Sequence, residues 1–445
     1  MQDLSSAHAN AARRLADALA TRGRRAWIVG GAVRDLALGR TPSDVDMASP
    51  ATPEEVEGAG FRTIPIGRAF GTLVVLVDGV ELQHTTFRSE SGYADARRPD
   101  AVVFGATAEE DASRRDFTCN ALYLDPRTDE VLDPTGGLAH LEARELHCVG
   151  VARERFEEDG LRLVRMARFA AQLELAPAPD VLAAARAARG ALRGVSPERV
   201  LVELETLFSR PRGAAAIELL WSTELLLLAL PGLLARLGRD PEPAFRERFA
   251  TLRALDDPPG LVLGLAALYG PEPAETNAFG PMDRGRAAEE LDLLRVARST
   301  RAAVLAAWTV ACEVAPLARV PASRAQRLRW MQHAGFEDGL ALAAAWNRHL
   351  RRGTLVVDAL RAERAALGPD DLAPKPWLDA KDLDAAGVPR GPAWGTLLRE
   401  AETERLDGRH ATREDALAWL ARRARTVRPG AQDGGNTRRN AKDRG

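Results

Sequence analysis

The chain has 445 residues, of which 46% are hydrophobic and 28% charged, with a formal net charge of −2. That length exceeds what one hydrophobic core supports and predicts two to four structural units. The near-zero charge excludes a chain-wide polycation, so any contact with nucleic acid has to come from local basic clusters.

In chain order, residues 26–29 read as a short buried strand that enters Gly30-Gly31, and a helical segment carrying Arg34 follows. A β-prone run over 45–48 comes next, led by Asp44 and Asp46, and then strands over 72–77 and 81–86. Asp78-Gly79 between the last two is a strong hairpin signal. From about residue 151 the pattern turns to Ala, Leu, Arg and Glu at helical spacing. Breaks at 211–213, 257–260, 270–271 and 368–369 divide it into several bundles. Residues 427–445 are polar, Gly-rich and basic, a composition that predicts disorder. The expected fold is α+β, a small mixed head over 1–150 followed by an all-helical remainder.

Three cysteines, Cys119, Cys148 and Cys312, lie far apart in neither a metal nor a disulfide spacing, which fits a reducing compartment. The N-terminus lacks an apolar signal core, and the longest apolar run, 225–234, is too short to span a bilayer and contains Pro231. A cytoplasmic protein with no membrane partner is expected. Lysine occurs only at Lys375, Lys381 and Lys442; a GC-rich genome explains the arginine bias without invoking function.

The first chemical cluster spans 30–46. On a strand, Asp44 and Asp46 would share one face about 7 Å apart. Paired carboxylates suit hard divalent cations such as Mg²⁺. The glycine pair lets backbone approach phosphates at the start of a helix. A second cluster holds Thr85-Thr86-Phe87-Arg88, Tyr93, Asp95, Arg97-Arg98-Pro99 and Arg114-Arg115-Asp116-Phe117-Thr118 with Asn120. Arginine forks match phosphate oxygens, and Asp or Asn can fix a sugar hydroxyl.

The third cluster, Glu158-Asp159-Gly160-Leu161-Arg162, continues with Arg165 and Arg168 at steps of three. In a helix, Asp159 and Arg162 would present a joint edge. A carboxylate accepting from an exocyclic amine beside a guanidinium donating to a ring nitrogen fits cytosine and adenine, and rejects uracil and guanine. An amphipathic helix with surface ion pairs produces the same spacing. GxGxxG is absent, so a dinucleotide oxidoreductase is not supported.

Together the three clusters resemble the class II tRNA nucleotidyltransferase and bacterial poly(A) polymerase family, within the DNA polymerase β superfamily. GGxxR followed by DxD falls on Gly30, Gly31, Arg34, Asp44 and Asp46, RRDFTxN on Arg114–Asn120, and EDxxR on Glu158–Arg162. The resemblance implies a polymerase-β-like head, then a neck (151–215), body (216–300) and RNA-binding tail (301–426). It implies template-independent addition of CCA, or its terminal A, to the tRNA 3′ end from CTP and ATP; poly(A) tailing is the alternative. By resemblance Asp44 and Asp46 are the catalytic metal ligands and Gly30, Gly31, Arg34 and Arg115 hold the triphosphate. Asp116 and Asn120 then seat the ribose, Asp159 and Arg162 read the base, and Arg165 and Arg168 line the same pocket. Glu203, with Glu198-Arg199 before it, braces the base-reading helix.

The flexible-loop segment FRSESGYADARRP is full length, which argues against a CC-only enzyme. Two departures stand out. Gly160 replaces the family's usual proline, leaving helix-start rigidity open. Gln83-His84 replaces Glu-Val, so the third carboxylate of the superfamily is either Glu81 or missing; His84 is expected to have no catalytic role. GPxxGxLL at 391–398 resembles a tail signature, with Gly391 and Gly395 serving either RNA phosphates or helix packing. The tryptophans from Trp221 onward are expected in helical cores. Oligomeric state is not legible.

Overall fold

The computed structural model describes residues 4–68, 71–91, 101–238, 240–270, 284–317, 319–321 and 323–427. Positions Tyr93 to Pro99, in the segment likened to the family's loop, and all but the first residue of the 427–445 tail lie outside them. The described residues fall into two compact units, one reaching to residue 304 and the other from 305 onward.

The first unit begins with helix α1 (Ser6–Ala20), followed by β1 (Trp27–Val29), α2 (Gly31–Ala37), β2 (Asp46–Ser49), α3 (Pro53–Glu57), β3 (Arg62–Gly67), β4 (Thr72–Val77) and β5 (Val80–Thr86). Then come β6 (Arg88–Ser91), β7 (Ala101–Phe104), α4 (Ala108–Ser113), β8 (Tyr123–Leu124) and β9 (Val131–Leu132). Seven strands form one sheet in the order β3-β4-β5-β2-β1-β8-β9. β2 and β5 are parallel; the other neighbours in the sheet are antiparallel. All three residues of β1 are buried, which explains an uninterrupted apolar run in a central strand.

The hairpin between β4 and β5 forms as its sequence dictates. Asp78 and Gly79 both have positive φ, and Val77 pairs with Val80 across the two-residue turn. Strand β3 was not legible beforehand. It is the sheet edge, exposed at Ile64 and Ile66 and carrying Pro65, a residue tolerated where one side of a strand needs no partner. The second strand starts at Asp46 rather than Val45, so Asp44 precedes the ladder.

The unit continues with α5 (Gly137–Glu142), α6 (Ala152–Glu158), α7 (Leu161–Leu173), α8 (Pro179–Ala187), a 3-10 turn over Arg189–Gly194, α9 (Pro197–Phe208) and α10 (Gly213–Ser222). α7 is the hinge pin of this packing. Leu163, Val164, Met166 and Ala167 are fully buried, while Arg162, Arg165 and Arg168 face the sheet end. From residue 178 on, every described element is helical.

In the second unit, Trp308 and Trp346 are fully buried. Trp377, Trp394 and Trp419 are half-buried against a cluster around Leu383, Leu397 and Leu420. No described helix is long and apolar enough to cross a membrane.

Candidate active site

The C-terminal end of β1 opens into a cavity of about 730 Å³. All the site residues expected from sequence line it: Gly30, Gly31, Arg34, Asp44, Asp46, Arg115, Asp116, Asn120, Asp159, Arg162, Arg165 and Arg168. Gly30 turns the chain with φ 67° and ψ −122°, a conformation that side-chain-bearing residues avoid. A Cβ there would also lie 3.1 Å from the Arg115 guanidinium. α2 has only seven residues, so guanidinium forks rather than a helix dipole dominate the local field.

Asp44 and Asp46 stand on one wall. Burial, and then the charge of Asp44, push the Asp46 carboxyl above the ordinary carboxylate range; Arg115 opposes the shift. Two like charges held together in a partly desolvated wall form a hard-oxygen donor set that fits a divalent cation. Among the described residues no three His, Cys, Asp or Glu side chains gather to hold a metal. Glu81 is exposed and does not line the cavity, whereas Gln83 does. His84 points to the opposite face, fully buried, with Nε2 2.7 Å from the Ser49 hydroxyl. Burial lowers its pKa to about 4.

Buried Asp111 accepts from the Arg114 and Arg115 guanidiniums and from the Tyr123 hydroxyl at 2.8 Å. Arg115 also donates to the Asn120 carbonyl at 2.9 Å and lies over the Tyr123 ring. Arg34 donates to the Asn120 amide oxygen at 2.6 Å, and Asn120 donates to Asp116 at 3.1 Å. Burial alone would raise the Asp116 pKa. The Arg165 charge, together with donors from Asn120, Arg165 and the Phe117 backbone, overrides it and holds the acid at about 2. Arg165 also reaches Glu203 at 3.1 Å, and Glu203 accepts from Arg168 at 2.7 Å.

Asp159 does not lie on one helix with Arg162, as the expected joint helical edge requires. Asp159 is extended, between α6 and α7. Its carboxylate accepts from the Leu161 backbone at 3.0 Å and from Arg199 at 2.6 Å. Arg162 pairs instead with Glu158 at 2.7 Å and donates to the carbonyls of Arg155 and Arg114, both at 3.0 Å. Both side chains still line the cavity. The groups are thus held separately and pre-aimed, rather than consuming one another.

Gly160 does not loosen this start. Its φ of −58° is helical, and a Cβ would lie 2.4 Å from the Ala191 carbonyl oxygen. The 3-10 turn occupies the space a side chain would need, so packing supplies the rigidity that a proline ring gives elsewhere.

Sequence reasoning overlooked Phe169, whose ring carries the guanidiniums of Arg34, Arg165 and Arg168 at 5.4, 5.1 and 4.1 Å. Its place four residues after Arg165 on an otherwise arginine-lined helix face was the available signal. It also read Arg199 as part of a brace and passed over Asp111. Eight arginines against four aspartates line the cavity, an excess suited to a polyanion such as a nucleoside triphosphate.

A small mixed sheet whose two aspartates share a cavity with eight arginines, continued by helices, resembles the arrangement of a nucleotidyltransferase head. Residues 26–147 match the poly A polymerase head domain, and residues 174–237 match the probable RNA and SrmB-binding site of polymerase A. Over these two regions the chain resembles the class II tRNA nucleotidyltransferase and bacterial poly(A) polymerase family.

Among curated relatives, the CCA-adding enzyme of Geobacillus kaustophilus is 43% identical over 244 residues, covering 53% of this chain and 60% of that protein. That of Streptococcus uberis is 45% identical over 189 residues, 42% of this chain and 47% of its own length. The matches thus span about half the length of these relatives. The solved structure of the Bacillus stearothermophilus CCA-adding enzyme in complex with CTP aligns over 94% of this chain and 98% of its own, with a TM-score of 0.74 and 28% identity. The Thermotoga maritima CCA-adding enzyme complexed with tRNA shares the fold, with a TM-score of 0.63 and 17% identity.

Proposed function

We propose that the protein extends the 3′ end of tRNA with CCA or its terminal A, using CTP and ATP and releasing pyrophosphate. The observation that carries this is the joint presence in one cavity of Asp44 and Asp46 and of separately anchored Asp159 and Arg162. The named activity of the relatives supports it. We keep head, neck, body and tail as the division of labour, the tail taking the RNA.

In this reading Arg34 and Arg115 receive the triphosphate, while Asp116 and Asn120 brace the ribose side. Asp159 accepts from the amino group shared by cytosine and adenine, and Arg162 donates to the adjacent ring nitrogen. A carbonyl at the amino position, as in uracil or guanine, would face the Asp159 carboxylate and leave polar groups unpaired, costing roughly 1–3 kcal/mol per group. One Asp–Arg set therefore selects two bases without a template. Asp44 and Asp46 would hold Mg²⁺, which when bound stabilises charge on the attacking and leaving oxygens. The attacking group is the RNA 3′-hydroxyl, displacing pyrophosphate from the α-phosphorus. Such work on tRNA, and three cysteines that form no disulfide among the described residues, suit a cytoplasmic setting.

The test is incubation with tRNA ending at the discriminator base, at CC, or at CCA, with labelled CTP and ATP. Incorporation that stops at CCA is expected; long A tracts would identify a tailing enzyme, and no incorporation into any substrate would refute the reading. Asp44→Ala and Asp46→Ala should each reduce transfer at least about 10³-fold with tRNA binding retained.

A further inference from the structure

Gln83, on the cavity wall, has no place in the roles above. β2 and β5 run parallel with Asp46 directly opposite Gln83. Their Cα atoms are therefore ladder neighbours about 4.8 Å apart, with side chains leaving the same face of the sheet. Both residues line the cavity, as do Thr85, two residues further along β5, and Thr72 opposite it. In the other direction along that face, Glu81 lies opposite Leu76 and outside the cavity. The remaining acids on the wall, Asp116 and Asp159, are engaged by Arg165 and Arg199.

The group beside Asp46 in the sheet is therefore a carboxamide. It offers a hard carbonyl oxygen of the kind that serves divalent cations, but no charge. It also has no basicity near neutral pH, so it cannot take a proton from an attacking hydroxyl.

We propose that Gln83 turns its side-chain oxygen toward the divalent cation at Asp44 and Asp46 as a third, uncharged protein ligand, directly or through one water. This rests on the reading of those aspartates as cation ligands. The protein then contributes two negative charges to the site where a third carboxylate would make three. Cation affinity is correspondingly lower than a three-carboxylate site would have.

The proposal is tested on the full chain by titrating Mn²⁺ alone, a cation of the same oxygen preference, and reading free Mn²⁺ by electron paramagnetic resonance. Compared are the wild type, Gln83→Glu, Gln83→Leu and Asp46→Ala, with circular dichroism to verify folding. Gln83→Glu should tighten binding about tenfold or more, and Gln83→Leu should weaken it about threefold. If Gln83→Leu fails to fold, Gln83→Ala takes its place as the variant that removes the side-chain oxygen. Wild-type affinity in a folded Gln83→Leu overturns the proposal even if Gln83→Glu binds more tightly, because the latter then reports only an added charge. No Mn²⁺ binding by the wild type, or binding indifferent to Asp46→Ala, overturns instead the aspartate reading beneath it.

Discussion

Gly160→Ala probes the least expected contact in the site. The new methyl carbon would sit 2.4 Å from the Ala191 carbonyl oxygen, 2.5 Å from its carbon and 2.8 Å from the Leu192 nitrogen. All three are backbone atoms, so no rotamer change relieves the clash. Reaching ordinary contact near 3.4 Å requires the 3-10 turn or the start of α7 to retreat by about 1 Å, and overpacking of this kind costs about 1–3 kcal/mol. Because Asp159 is the preceding residue and its carboxylate is fixed by Leu161 and Arg199, the displacement reaches the cavity wall that Asp159 lines. Urea unfolding should show the stability loss. Steady-state transfer should show KM for CTP and ATP raised together by about tenfold, equivalent to about 1.4 kcal/mol. Gly160→Pro should behave alike, since proline satisfies the φ but brings the same Cβ. Wild-type stability with unchanged KM in Gly160→Ala would refute the argument that packing against Ala191 sets this edge.

Arg199→Ala should weaken use of CTP and ATP by about tenfold while leaving the fold intact, since it removes a charged donor worth about 1.5–3 kcal/mol from Asp159; unchanged KM for both nucleotides would count against that anchoring role. His84 gives a pH signature. Its native pKa of about 4 lies below the usual 6.5, so between those values the unfolded chain binds the proton first and stability falls as pH drops. By pH 5 the loss is about 2 kcal/mol. Chemical denaturation across pH 5–8 should show a shallower slope for His84→Val, and an identical slope would contradict it.

The parts of the fold that were legible in the sequence were those set by local chemistry. The Asp-Gly turn needs positive φ at two positions, and Trp27-Ile28-Val29 needs burial on both faces; either can be recognised without knowing the rest of the molecule. The edge strand β3 was hidden because Pro65 and polar flanks break the alternation that marks a strand. The members of the site were named by motif, but not their partners. Arg199 meets Asp159 across 40 positions of sequence and Glu203 meets Arg165 across 38, and helical periodicity carries no information about such pairs. The same limit misdirected the Asp159–Arg162 reading, because the helix starts after Asp159 rather than before it.

From Arg34 through Asn120, Asp116, Arg165 and Glu203 to Arg168, each side chain grips the next. This relay ties α2 and the Asp116–Asn120 segment to α7 and α9 through partly buried groups that line the cavity. Prising the two apart would strand a charge in the interior at a cost of about 3–5 kcal/mol, which leaves fewer than about one molecule in a hundred ajar. A jaw-like opening across this seam is therefore a minor state. Under the proposed function, nucleotides would therefore meet a wall already assembled, and a change of preference between successive additions would have to come from the advancing RNA end.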